Sequence, residues 1–250
     1  MKRFSDQVAI ISGGARGIGK AVGVRLAQEG AHVVLVDVLE ETLSSTTKEL
    51  TEQGLSASSI LMDITNERHV QATIDGVARQ WGRLDVLVHA AGIVGPTATN
   101  IADYSYSEFQ RVVEVNLNGA FLVTKYAIPQ MVKQDYGRIL LISSIGGKEG
   151  NPGMAGYAAS KSGVIGLVKG IGKEYAHTGI TVNGLAPAVI ATPMNMETDT
   201  KMIDYMTSKI PMGRLGTVEE VAAISCWIVS KEASFNTGFI FDISGGRATF

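Results

Sequence analysis

Short runs of β-branched and aliphatic residues alternate with longer stretches of helical periodicity from one end of the chain to the other, and few folds accommodate that rhythm. Neighbouring parallel strands need a long crossover, which a helix supplies, so repeated strand-then-helix units predict an α/β protein with a mostly parallel sheet. The strands are expected at Val8–Ile11, Val33–Val36, Ser59–Met62, Leu84–Val88, Arg138–Ile142, Ile180–Asn183 and Phe239–Asp242. Between them the spacing predicts helices over Gly17–Glu29, Leu39–Gln53, Glu67–Gln80, Tyr106 past Asn116 to Val132, Ala155–Tyr175 and Val218–Val229. Gly30 and Gly82 stand where two of these helices should end. No linker or change of composition interrupts the pattern, so residues 1–250 read as a single domain. Five of the nine methionines, Met194, Met196, Met202, Met206 and Met212, fall in one segment at about 193–216. That segment reads as a flexible lid over a substrate or as gap-filling core.

Charge narrows the function. With 22 Lys+Arg against 24 Asp+Glu, the chain has no positive excess with which to hold a nucleic acid or an anionic membrane surface. No stretch approaches the ~20 apolar residues of a bilayer span, and Met1 to Gln7 turns polar before any signal-like run, so a cytoplasmic protein is expected. The single cysteine, Cys226, excludes an intrachain disulfide and a cysteine zinc site.

Between the first strand and first helix lies Ser12-Gly13-Gly14-Ala15-Arg16-Gly17-Ile18-Gly19. Glycines there let the backbone turn tightly and present helix N-terminal amides to a pyrophosphate. Asp37 ends the second strand, 18 residues past Gly19, where a carboxylate can accept from both adenine-ribose hydroxyls and repel a 2′-phosphate. Arg16 cuts the other way, since its guanidinium could pair with such a phosphate.

Tyr157 and Lys161 are one helical turn apart and project from the same face. A neighbouring ammonium is expected to stabilise the Tyr157 phenolate and lower its pKa toward the working range. Ser144 follows the fifth strand, 13 residues before Tyr157, and Asn116 lies in the helix before that strand.

As an ordered set these residues resemble the short-chain dehydrogenases/reductases, in their classical branch, over essentially the whole chain. The resemblance implies a Rossmann-like, doubly wound sheet of seven parallel strands. It also implies hydride transfer between a nicotinamide cofactor and a small-molecule alcohol or ketone. It assigns Ser144, Tyr157, Lys161 and Asn116 to catalysis. Gly13, Arg16, Gly17, Ile18, Gly19, Asp37, Asp63, Ile64, Ala90, Gly92, Pro187, Ile190 and Thr192 are assigned with Tyr157 and Lys161 to the cofactor. No metal is implied, and Asn116 would hold a water that relays protons from Lys161.

Two departures stand out. His89-Ala90-Ala91-Gly92 replaces the family's usual Asn-Asn-Ala-Gly, and Ala188 follows Pro187 where glycine is usual. His89 reads as structural rather than as the acid or base. The expected cofactor is NAD, because Asp37 outweighs Arg16, and the expected substrate is a secondary alcohol, with sugars and polyols included. An NADP-dependent 3-oxoacyl-thioester reductase is the alternative within the family, and a catalytically silent dinucleotide sensor the alternative outside it. Lys148, Glu149 and Asn151 read as solvated loop residues or as contacts to a hydroxylated substrate. Val164, Leu167, Val168 and Ile171 are expected to leave an apolar face, and with Phe250 they point to a homotetramer.

Overall fold

The computed structural model describes residues 2–192 and 200–249. Seven strands, all parallel, form one sheet in the order β3-β2-β1-β4-β5-β6-β7. They are β1 (Val8–Ser12), β2 (His32–Asp37), β3 (Ala57–Leu61), β4 (Val86–His89), β5 (Gly137–Ile142), β6 (Ile180–Pro187) and β7 (Ile240–Ile243). The helices are α1 (Gly17–Gln28), α2 (Glu40–Glu52), α3 (Glu67–Trp81), α4 (Tyr106–Val113), α5 (Gly119–Lys133), α6 (Ile145–Glu149), α7 (Ala155–Glu174), α8 (Thr200–Ser208) and α9 (Val218–Ile228).

Side chains alternate along each strand, so the sheet feeds two cores. Val8 and Ile10 of β1 join the layer that packs Val70 and Ile74 of α3, Val123 and Ala127 of α5, and Val164 and Val168 of α7. Ala9 and Ile11 join the opposite layer with Val22 and Leu26 of α1 and Val221 and Cys226 of α9. Because both faces are covered, the strands read as continuous apolar runs rather than as an alternation.

Three expectations need correction. The expected continuous helix from Tyr106 to Val132 is two helices joined by a π-type turn over Glu114–Asn118. Val164 and Val168 are fully buried in the sheet core and belong to no exposed face; only Leu167 and Ile171 remain partly exposed on that stripe. The segment after Ser144 is the short helix α6 rather than a loop. Other element ends differ from expectation by a few residues.

Two glycines of α7 are required by close neighbours. A Cβ on Gly163 would meet Leu117 at 2.7 Å, and one on Gly172 would meet the Gly238 backbone at 2.4 Å. Gly166 and Gly170 face open space. Met194, Met196 and Phe250, and the Met202 side chain, lie outside the described residues. Met206 is half-buried and Met212 exposed. Among the described residues no helix is long and apolar enough to cross a membrane.

Candidate active site

Strand order reverses between β1 and β4, and in a parallel sheet the crevice outside their carboxyl ends is where ligands bind. The glycine loop and the residues after β4 meet there. Gly13 has φ +71°, and a Cβ on it would sit 2.6 Å from the Ala91 amide nitrogen. A Cβ on Gly19 would lie 2.0 Å from the Gly13 carbonyl oxygen, so a methyl group alone would break the loop. Arg16 occupies the α1 N-cap in extended conformation and offers no side-chain cap, which leaves the first amides of α1 to the crevice. Ile18, on the first turn, packs partly against the core.

The other expected contacts ring this loop. Asp37 is half-buried at the end of β2; its Oδ2 accepts from Ala15 N at 3.1 Å and its Oδ1 from Val38 N at 2.8 Å and Leu39 N at 3.2 Å. A carboxylate has about four acceptor positions, so capacity for ribose hydroxyls remains. Arg16 is exposed and lines a surface groove of about 490 Å³ with Lys20, Glu41 and Glu49. Asp63 is exposed, its Oδ1 accepting from both the amide and the hydroxyl of Thr65. The Ile64 side chain instead packs into the core over Gly119, leaving only its backbone to face a cofactor. Ala90 N donates to Ser12 O at 3.0 Å. After Pro187, Ile190 bridges to Gly216, and Thr192 comes within 3.7 Å of where a Gly17 Cβ would be. One crevice therefore gathers the loop, Asp37, Gly92 and the stretch after β6.

The catalytic candidates converge at its floor. Ser144 N-caps α6, its Oγ accepting from Gly146 N at 3.1 Å. Lys161 is buried, donates to Ile142 O at 2.8 Å, and sits 5.9 Å from the Tyr157 ring centroid. Burial drives its pKa down to about 8. Asn116 is fully buried in the π-type turn; Nδ2 donates to Ile93 O at 2.9 Å and Ser160 Oγ at 3.1 Å, and Oδ1 accepts from Ile93 N at 2.8 Å. A Cβ on Gly92 would meet Asn116 Oδ1 at 3.1 Å and Lys161 Nζ at 3.4 Å, so the loop, the turn and α7 meet at one glycine.

A family model described as enoyl-(acyl carrier protein) reductase matches residues 13–248. The chain belongs to the short-chain dehydrogenase/reductase family, in its classical branch. It is 42% identical to 2-dehydro-3-deoxy-L-rhamnonate dehydrogenase (NAD(+)) of Sphingomonas sp. (strain SKA58), over 99% of this chain and 98% of that one. It is 39% identical to the 3-oxoacyl-(acyl-carrier-protein) reductase of Thermotoga maritima, over 98% of each. Among solved structures, a variant of actinorhodin polyketide ketoreductase with NADPH superposes with TM-score 0.91 at 35% identity, covering 98% of each chain. As a short-chain dehydrogenase/reductase, the chain is an oxidoreductase of alcohol or ketone-type substrates.

In this oxidoreductase the Tyr157 electrostatics differ from expectation. Burial pushes the phenol up, and the Ser144 side chain pulls it part of the way back. The Lys161 ammonium donates to the Ile142 carbonyl and lies over the Tyr157 ring, 5.9 Å from its centroid. His89 bonds Ser12 Oγ through Nδ1 at 2.7 Å, and burial with the Lys161 charge holds its pKa down to about 3. A neutral, enclosed imidazole at the strand end is a brace, not a base.

Sequence reasoning missed Ser160, whose buried hydroxyl donates to Tyr157 O at 2.8 Å and accepts from Asn116, tying the two motifs together. A small polar residue one helical turn from Tyr157 was the available signal. It also missed Arg247, which pairs with Glu149 and Asn151.

Proposed function

We propose that the protein is an NAD(H)-dependent dehydrogenase that interconverts a secondary alcohol, of sugar or polyol type, and its ketone. The observation that carries this is the convergence of Ser144, Tyr157 and Lys161 beside the glycine crevice. The crevice fits a dinucleotide, because its backbone approach at Gly13 and Gly19 has no room for side chains and the α1 amides face it uncapped. When bound, the nicotinamide supplies the hydride acceptor. Ser144 Oγ would hydrogen-bond the substrate oxygen, and Tyr157 would take its proton during oxidation or return it during reduction. Lys161 would hold the nicotinamide ribose and Asn116 would position the Gly92–Ile93 loop.

Asp37, with acceptor capacity left over, and the Sphingomonas relative's NAD(+) support the nucleotide choice. The alternative is NADP-dependent reduction of 3-oxoacyl thioesters, favoured by the exposed Arg16 guanidinium and by the Thermotoga relative. Initial rates with secondary alcohols, polyols and sugar acids, each with NAD and NADP, separate the two. The reading expects alcohol oxidation with a clear NAD preference. Faster turnover of a 3-oxoacyl thioester with NADPH would replace it with the alternative.

A further inference from the structure

Beside the catalytic floor lies a polar assembly that the reaction chemistry above does not use. Arg247, in the C-terminal segment, has a side chain only 10% exposed. Its Nε and Nη2 donate to Glu149 Oε2 at 3.0 and 2.9 Å, and Nη2 also donates to Asn151 Oδ1 at 3.2 Å. The tail that carries it is anchored, with Ala248 N donating to Ser244 Oγ at 3.1 Å and Met212 N to Gly245 O at 3.1 Å.

A guanidinium has donors and no acceptor, so the Asn151 amide must turn its oxygen to Arg247 and its NH₂ away. That NH₂ faces Gly146. A Cβ on Gly146 would lie 2.7 Å from Asn151 Nδ2 and 3.5 Å from Ser144 Oγ, so the two polar atoms flank one point, and a larger residue at 146 would push the Asn151 amide away. Among the described residues Nδ2 donates to no acceptor, yet it is not sealed from solvent.

We propose that Asn151 is a specificity residue and Arg247 the positioning residue that fixes its amide. The Asn151 NH₂ then donates to an oxygen on the carbon next to the one oxidised. Since Glu149 already neutralises Arg247, the pocket favours a hydroxyl over a carboxylate at that position, and the substrate class is a vicinal diol. This deepens the dehydrogenase reading and rests on it.

The test compares butan-2-ol, butane-2,3-diol and lactate at saturating NAD. The wild type should show a KM for the diol about tenfold below that for butan-2-ol, a factor worth about 1.4 kcal/mol. Asn151→Asp keeps an acceptor for Arg247 and removes the donor. It should raise the diol KM about tenfold, with kcat and the butan-2-ol KM within twofold. Arg247→Ala should give the same diol-specific rise, partly restored in Arg247→Lys. Equal shifts for both alcohols, or an unchanged diol KM in Asn151→Asp, would overturn the proposal, and a preference for lactate would overturn its choice of a hydroxyl. If the wild type oxidises none of the three, the dehydrogenase reading fails for these substrates. Calorimetric titration of the diol into protein in saturating NADH then decides: tenfold weaker binding by Asn151→Asp sustains the proposal, and equal or undetectable binding ends it.

Discussion

Replacing Asn116 with alanine should cost more stability than any surface change, because its amide bonds both backbone polar groups of one loop residue. The N–H and C=O of the half-buried Ile93 are both bonded by Asn116, at 2.8 and 2.9 Å, and the Asn116 side chain is fully buried. Ser160 loses a donor too, but keeps its own bond to Tyr157 O. The cost therefore falls on two stranded backbone groups at ~1–3 kcal/mol each, or about 4 kcal/mol in all. For a chain of this length that lowers Tm by roughly 8–16 °C. Asn118→Ala is the control, since that residue shares the motif but is exposed and, among the described residues, its side chain bonds only Glu114. Its effect should stay within ~0.5 kcal/mol. Thermal unfolding followed by far-UV circular dichroism measures both. An Asn116→Ala melting point within about 2 °C of the wild type, or an equal loss in Asn118→Ala, would refute the reasoning.

Lys161 should make stability depend on alkaline pH. Its folded pKa of about 8 lies below the ordinary 10.5, so between these values the unfolded chain binds more protons and stability rises with pH, by about 3 kcal/mol. Urea unfolding of the wild type minus that of Lys161→Met should show this rise, and a flat difference would contradict it. Asp37→Ala should relax the preference for NAD over NADP at least tenfold in kcat/KM, whereas unchanged discrimination would remove Asp37 from the nucleotide choice. Light scattering should give a mass near four times 26.5 kDa, because Gly166 and Gly170 face open space on α7 and Phe239, just before β7, is half exposed. A stable, active monomer would dispose of that assembly.

Much of this was legible in the sequence, and the limits were physical. Buried strands such as Val33–Val36 announce themselves because both faces of the sheet are covered, and Gly82 closes α3 in the left-handed conformation that glycine tolerates. Tyr157 and Lys161 are joined by helical spacing alone. Periodicity could not reveal the π-type turn, since it depends on where the Asn116 amide finds partners in the Ile93 loop. Nor could spacing say that the Lys161 ammonium would donate to the Ile142 carbonyl. Glu149 and Arg247 are 98 residues apart, so only the folded tail brings them together.

The most direct test is the stopped rate of NADH formation by Tyr157→Phe, measured beside its NADH affinity. The substitution removes one hydroxyl from a half-buried ring whose neighbours Ser144 and Lys161 stay in place. Turnover of the best alcohol should fall at least ~100-fold, with the NADH Kd within twofold of wild type. Turnover within a few-fold of the wild type would contradict the assignment of Tyr157 as the proton carrier.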